Sequence, residues 1–432
     1  MTNSFNTNIW ELRTFLILWI TQSFSSLGST MTSFALVIWS YQQQGSALTT
    51  SLLTICSYAP YVLLSIFAGT LSDRWNKKAT MLISDSFAAV CTVSVLILLT
   101  TGNLQIWHLY LINTLNGIMN TVQQPASDVA ISLLVPQKHY QKVSGMRSFS
   151  NSLVTILTPV LATALLSFTS IRVVILFDLI TFTTAFVALL FFVKIPQVVE
   201  RSITESETIL QSVKSGLRYL RDNRGILDLI LFLAVINFTA SIFSAALPAM
   251  MLSRAGGGEL ALGMVNTFTG IATMVGSIMV TTLPPPKSRV RVICNCLLFS
   301  MSTENFILAF GRSIPVWCLG AILGWIFIPV MGANMDVLFR TKIPIDMQGR
   351  VYSARNTLQF FTIPLGYLCG GILVDRVFEP FMAMQPTNSL WVVLFGAGKG
   401  SGAAMLFFVI GIFGALSCLP FRADKNIWRL EE

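Results

Sequence analysis

Gly69-Thr70-Leu71-Ser72-Asp73-Arg74-Trp75-Asn76-Lys77-Lys78 sets one acid and three bases in a tight hairpin between two long apolar runs. A chain that only has to cross a bilayer gains nothing from such a cluster. The hairpin therefore predicts membrane helices that move relative to one another.

The rest of the chain supplies the membrane. Apolar residues fill 54% of 432 positions and charged residues 11%, and the mean hydropathy is +0.71; soluble domains carry about 25% charge. A spanning helix needs about 20 predominantly apolar residues. Twelve such runs are present, at 12–38, 47–71, 79–101, 104–134, 143–168, 170–193, 225–252, 259–283, 290–310, 314–339, 350–375 and 401–421. The expected fold is an all-α membrane protein with twelve transmembrane helices. The first run has full spanning length and no clear cleavage site, so it reads as a span rather than a signal peptide.

Basic residues orient the spans. Arg13, the hairpin, the segments after the other even-numbered runs and the C-terminal segment hold 23 of the 28 lysines and arginines, and the opposite side holds Arg172, Arg254, Arg312, Arg376 and Lys399. The positive-inside rule puts both termini and the hairpin in the cytoplasm of a cell membrane. The net charge of +9 is then a matter of topology and anionic lipid, with no nucleic-acid partner implied. All seven cysteines fall in apolar runs, where they read as small buried residues rather than a disulfide or metal framework.

The chain also repeats itself. Shifted by 208 residues, Asp128-Val129, Pro136, Val143 and Arg147 land on Asp336-Val337, Pro344, Val351 and Arg355, five identities in twenty positions. The longest polar gap carries Ile209, Leu210, Val213, Leu217 and Leu220 on one helical face beside Lys214, Arg218 and Arg221, the pattern of an amphipathic helix lying on the cytoplasmic membrane surface. This divides the chain into an N-terminal six-helix bundle (1–194), a linker (195–224) and a C-terminal six-helix bundle (225–432). Parallel, pseudo-symmetric halves of this kind form transporters with a site between them near the midplane. In the fourth run, Asn113, Asn116, Asn120 and Gln123 recur at three- and four-residue spacing and make one polar stripe. Amides facing lipid are expensive, so the stripe faces either a cavity or another helix, to which amides can hydrogen-bond.

The hairpin 69–78 resembles the loop signature of the major facilitator superfamily: glycine, any, leucine, small, aspartate, arginine, any, glycine, arginine, basic. It departs at Asn76, which replaces the second glycine and is expected to tolerate a left-handed turn, and at Lys77, which replaces arginine. With Gln22 to Ala35 (QSFSSLGSTMTSFA), Gln124-Pro125-Ala126 and Gly370 to Pro380 (GGILVDRVFEP), the chain looks like the macrolide-efflux-like branch of multidrug exporters. That branch is also similar to siderophore exporters and lysophospholipid flippases.

The resemblance implies a conformational latch. It comprises Gly69, Asp73, Arg74, Lys77 and Lys78, with Asp128 late in span 4 bridged to Asp73 by Lys77 or Arg74. Asp336 and Arg355 occupy the positions of Asp128 and Arg147 in the second half. It also implies a cavity lined by spans 1, 4, 7 and 10, with Gln22, Asn113, Asn116, Asn120, Gln123, Asn237, Trp325 and Asn334 as its candidate residues.

A proton-driven exporter needs a protonatable group inside the membrane, and no acid lies midway along those four spans. The intramembrane acids are Asp178 in span 6, Glu304 in span 9 and, near the inner end of span 3, Asp85; of these Asp178 and Glu304 are the proton-coupling candidates. Thr158-Pro159-Val160-Leu161-Ala162-Thr163 keeps the proline of the family's antiporter signature but none of its glycines. No nucleophile motif, phosphate loop or metal-ligand cluster appears, and His108 and His139 fall on opposite sides of the membrane. The expectation is a monomeric transporter, not an enzyme, with no cofactor or metal. Its partners are a small-molecule substrate, protons and membrane lipid.

Overall fold

A computed structural model describes residues 12–136, 139–196, 209–282, 284–344, 351, 354–355 and 358–431, and among these every regular element is a helix. In chain order they are α1 (Arg13–Gln44), α2 (Ala47–Arg74), α3 (Lys77–Thr100), α4 (Ile106–Leu134), α5 (Tyr140–Phe168) and α6 (Ile171–Val187), the last continued by a π-helical turn, Ala188–Phe192. The amphipathic segment forms α7 (Ile209–Asp222). After it come α8 (Arg224–Ser253), α9 (Glu259–Thr282), α10 (Arg289–Phe310), α11 (Ile314–Trp325) and α12 (Ile328–Lys342). The eleventh span contains α13 (Thr362–Ile372), a π-helical turn at Leu373–Phe378 and α14 (Glu379–Ala383), followed by α15 (Leu390–Phe395), α16 (Ser401–Ala423) and α17 (Lys425–Trp428). Among the described residues each of the twelve expected spans is helical, the tenth broken between α11 and α12.

Among the described residues ten spans are apolar and long enough to cross a membrane on composition alone, and α1 and α4 are not among them. Length does not exclude them: at 32 and 29 residues they reach about 48 and 43 Å at 1.5 Å per residue. Their hydropathy is lowered by serines, threonines, asparagines and glutamines inside the apolar run. A helix of this kind is stable in a bilayer only if its polar face is turned from lipid.

Packing divides the chain into two units, Met1–Val37 with Cys56–Thr204, and Ile38–Ile55 with Glu205–Glu432. In the first, Leu18 of α1 is buried with Met81, Ala126, Ala130 and Leu189. Further along α1, Leu27, Met31 and Ala35 are buried with Ala162 and Val174. The second unit has one larger core in which Leu229, Leu233 and Ile236 of α8 pack with Val290, Ile293 and Leu297 of α10 and Leu338 and Phe339 of α12. Leu220 of α7 joins the same core.

The assignment of residues 38–55 to the second unit has a local cause. Tyr41 hydrogen-bonds Ser253 at 2.6 Å and the Ala249 carbonyl at 3.2 Å, and Gln42 donates to Glu259 at 2.6 Å. The start of α2 is tied more closely still. Ser46 Oγ accepts from the Thr49 N–H at 3.1 Å as a helix cap. The two preceding N–H groups, of Ala47 and Leu48, donate to the carboxylate of Asp375 at 3.0 and 2.9 Å, and Ser46 Oγ donates to it at 2.6 Å. Gly371 permits the approach, since a Cβ there would lie 2.6 Å from the Leu48 Cα.

One turn later the device recurs. Glu379 Oε1 accepts from the N–H groups of Gly400 and Ala403, at 2.9 and 3.2 Å, at the start of α16. The stretch GGILVDRVFEP thus delivers two carboxylates, four residues apart, to two helix N-termini, where orphan donors and the helix dipole both favour an anion. Close by, the buried Arg254 donates to the carbonyls of Ala309 at 3.3 Å and Phe395 at 2.9 Å. Burial, with Arg312 nearby, pulls its guanidinium down to about 10, still charged at neutral pH.

Removing one carboxylate leaves helix donors unpaired. Asp375→Ala is expected to lower the stability of the detergent-solubilised protein by about 1–3 kcal/mol, read as an earlier thermal unfolding transition. Asp375→Asn, which keeps one acceptor oxygen, is expected to lose less.

Candidate functional site

The polar faces of α1 and α4 meet in the first unit. Gln22, Ser26, Ser29 and Ser33 lie along one side of α1 at three- and four-residue spacing, and Asn120, Gln123 and Gln124 project from α4. They line a cavity of about 450 Å3 together with Asp85 of α3, Arg147, Ser150 and Asn151 of α5, and Phe182 of α6. Pro125 follows the α4 amides and gives no N–H to the helix ladder, so the carbonyl four residues before it loses its usual donor beside the cavity.

Three acids of the spans have distinct surroundings. Asp85 lines the cavity and accepts from the amides of Gln22 at 3.3 Å and Gln123 at 2.5 Å. Asp178 is 4% exposed behind the wall and accepts from Ser29 Oγ at 2.9 Å. There α1 approaches α6 so closely that a Cβ on Gly28 would lie 2.8 Å from the Asp178 Cα. Glu304 of α10 is buried and accepts from the Trp325 indole at 3.0 Å, at the break between α11 and α12. Asp178 therefore reaches the cavity through one hydroxyl, and Asp85 touches it directly.

Of the residues marked out by sequence as cavity candidates, Gln22, Asn120 and Gln123 come together here. Asn113 and Asn116 lie further up α4 and are not in this wall; the Asn116 side-chain carbonyl is a buried acceptor without a donor. In the second unit, Asn237 donates to the Gln359 carbonyl at 3.4 Å. Asn334 accepts from Arg289 at 3.0 Å and donates to the Val330 carbonyl at 2.9 Å. With Trp325 on Glu304, these side chains make hydrogen bonds within their own unit. Ser150 and Asn151 of α5 are what sequence reasoning passed over, and Asp85, noted there only as an acid near the inner end of its span, is a residue of the wall. A lone acid near a helix end has no periodic signature, although its presence inside an apolar run was legible.

Among the latch candidates, Gly69, Asp73 and Arg74 belong to the end of α2, and their side chains lie outside the described residues. Lys77 opens α3. Lys78 donates to the carbonyls of Leu190 and Val193 at 2.9 and 2.8 Å, a cation at the C-terminal end of α6 and its π-turn. Asp128 is held by Arg147 at 2.7 Å. In the repeat, Asp336 is exposed on α12, and Arg355 donates to Gln359 at 3.1 Å and lies 4.8 Å from the Phe339 ring centre. The expectation of a left-handed turn at Asn76 is corrected. Its φ is −62°, and Oδ1 accepts from the Ala79 N–H at 3.1 Å. An extended N-cap, which asparagine fills better than glycine, replaces the left-handed turn.

The profile of the Major Facilitator Superfamily matches residues 18–367. The chain belongs to that superfamily. It is a multi-pass membrane transporter of small molecules. Macrolide efflux protein A of Streptococcus pyogenes is 22% identical over 373 residues, covering 86% of this chain and 91% of that protein. The MFS-type transporter YfiS of Bacillus subtilis (strain 168) is 25% identical over 374 residues, covering 82% and 85%. A crystal structure of the nucleoside transporter NupG, in a mutant form, superposes with a TM-score of 0.70 at 12% identity, covering 94% of this chain and 98% of that one. The chain thus shares the fold of these transporters.

Asn76→Ala is expected to cost about 0.5–2 kcal/mol and Asn76→Gly only a few tenths. Thermal unfolding of the two variants checks the cap; a gain in stability on Asn76→Gly would return the position to a left-handed turn.

Proposed function

We propose that this protein exports a hydrophobic or amphiphilic small molecule, such as a macrolide-like drug or natural product, by alternating access across the cell membrane. The carrying observation is a roomy cavity of amides, hydroxyls and aromatics inside otherwise apolar helices. The similarity to macrolide efflux proteins in two species supports the direction and the class. The protein acts as a monomer with both termini in the cytoplasm, a topology supported by the basic-residue distribution.

Export is driven by inward proton flow. Asp178 supports this reading best, because Ser29 connects its buried carboxyl to the cavity wall; Glu304 is sealed by Trp325. The acid of the 69–78 hairpin forms a latch that biases the two halves toward one state. Such a latch is worth about 1–3 kcal/mol, in the range of ordinary coupling energies. A lipid-flipping version of the reading is favoured by an apolar groove of about 160 Å3 beside the cavity, through which a substrate enters sideways.

In proteoliposomes loaded with a macrolide, dissipating the proton gradient is expected to stop efflux, and efflux that continues unchanged selects the flipping version. Asp178→Asn is expected to leave substrate binding intact while abolishing its pH dependence. Asp73→Asn is expected to slow transport at normal membrane insertion, and wild-type flux in that variant removes the latch. Asn120→Leu combined with Gln123→Leu is expected to change the profile of protected compounds in a growth assay, because two hydrogen-bonding groups leave the cavity wall.

A further inference from the structure

The cavity wall of the first unit carries two charged side chains, Asp85 and Arg147, and they are not alike. Arg147 is engaged by the carboxylate of Asp128 at 2.7 Å. Asp85 takes its hydrogen bonds from two neutral amides, Gln22 and Gln123. Amide dipoles solvate an anion without neutralising it, and a carboxylate held in low-dielectric surroundings still attracts a cation strongly.

An apolar surface begins next to it. The groove between α1 and α5 is lined by Ile20, Phe24, Leu27, Phe149, Leu153 and Leu157, and it shares Trp19, Ser23, Ser150 and Val154 with the cavity. The shared wall is braced by hydrogen bonds from the Trp19 indole to Ser150 Oγ at 3.0 Å and between Ser23 and Ser150 at 2.9 Å. Phe24 and Phe149 stand 56% and 55% exposed. On α1, Gln22 lies three residues from Trp19 and two from Phe24, within about 4.5 Å along the helix axis at 1.5 Å per residue. Along the α1 axis, therefore, the amide that reaches Asp85 and the residues of the groove lie within one helical turn.

We propose that Asp85 is the cation subsite of an amphiphile-binding site whose apolar half is the α1–α5 groove. The cargo accordingly includes lipophilic cations and protonated amines. The positive group sits at Asp85 among the amides of Gln22 and Gln123, and the apolar body lies against Phe24, Phe149 and Leu157. A neutral amphiphile fills the groove but leaves the carboxylate without a counter-charge. The proposal rests on reading the cavity as the substrate cavity of an exporter, and names its chemistry.

The test is equilibrium binding to the full-length protein in nanodiscs, using tetraphenylphosphonium as the cationic probe and triphenylphosphine oxide as the neutral one. Wild-type protein is expected to prefer the phosphonium by at least about tenfold, through charge attraction alone because the phosphonium has no hydrogen-bond donor. Asp85→Asn, which is isosteric, is expected to lose that preference while holding the neutral probe unchanged, and Asp85→Glu to keep it. Phe24→Ala with Phe149→Ala is expected to weaken both probes alike.

Equal phosphonium affinity in wild type and Asp85→Asn overturns the cation subsite. Should Asp85→Asn fail to fold, the wild-type comparison alone decides, and the absence of a cation preference overturns it equally. Wild-type protein that binds neither probe overturns the whole site. Unchanged affinities in the double phenylalanine variant assign the groove to lipid and overturn its half of the proposal. Export is read separately as phosphonium flux from loaded proteoliposomes. Binding through Asp85 without flux refutes the exporter reading and leaves the subsite, whereas undiminished phosphonium export by Asp85→Asn refutes the subsite and leaves the exporter.

Discussion

Hydrocarbon accepts and donates no hydrogen bonds, and every other feature of this structure follows from how the chain meets that constraint. Each polar group within a span must find a partner inside the protein or face a polar hollow. The two helices least fit for lipid, α1 and α4, are the ones whose polar faces line the cavity of the first unit. Their low hydropathy and their placement at the cavity are one fact seen twice. The apolar faces that remain on α1, through Leu18, Leu27 and Met31, are enough to pack it into its unit.

The carboxylates of the chain show the same constraint resolved in several ways. Asp375 and Glu379 are spent on helix N-termini, where unpaired N–H groups need an acceptor. Glu304 is spent on an indole at a helix break, and Asp178 on a serine hydroxyl. Asp128 is spent on a guanidinium. Only for Asp85, among these, do the observed partners leave the charge uncancelled on a cavity wall. Structural acids and a ligand-facing acid are thus separated by their partners, a distinction invisible in residue type.

The 69–78 hairpin gains a physical reading from its neighbours. Asn76 caps α3 and Lys78 closes the carbonyl end of α6, so part of its charge serves helix termini. The positive-inside reading accounts for the lysines but not for Asp73, and the latch proposal remains attached to that residue. The stretch GGILVDRVFEP is a double helix-capping device. Its glycine at 371 admits the start of α2 and its two acids hold α2 and α16.

Sequence alone determined the membrane class, the twelve spans, the amphipathic segment and the superfamily. Those properties are written in local composition and period: a run of 20 apolar residues must be helical in a bilayer whatever surrounds it. The polar stripe on α4 was legible for the same reason, since helical spacing places Asn120 and Gln123 on one face. Tertiary structure alone decided which polar residues open on a cavity and which are spent on neighbours. Asn120 and Asn334 are the same residue in comparable spans, yet one lines a hollow and the other accepts from Arg289. It also decided that residues 38–55 pack with the second unit, because the carboxylate that caps α2 comes from more than 300 positions away. A hydrogen bond between distant segments depends on where two helices end in space, and no local pattern carries that.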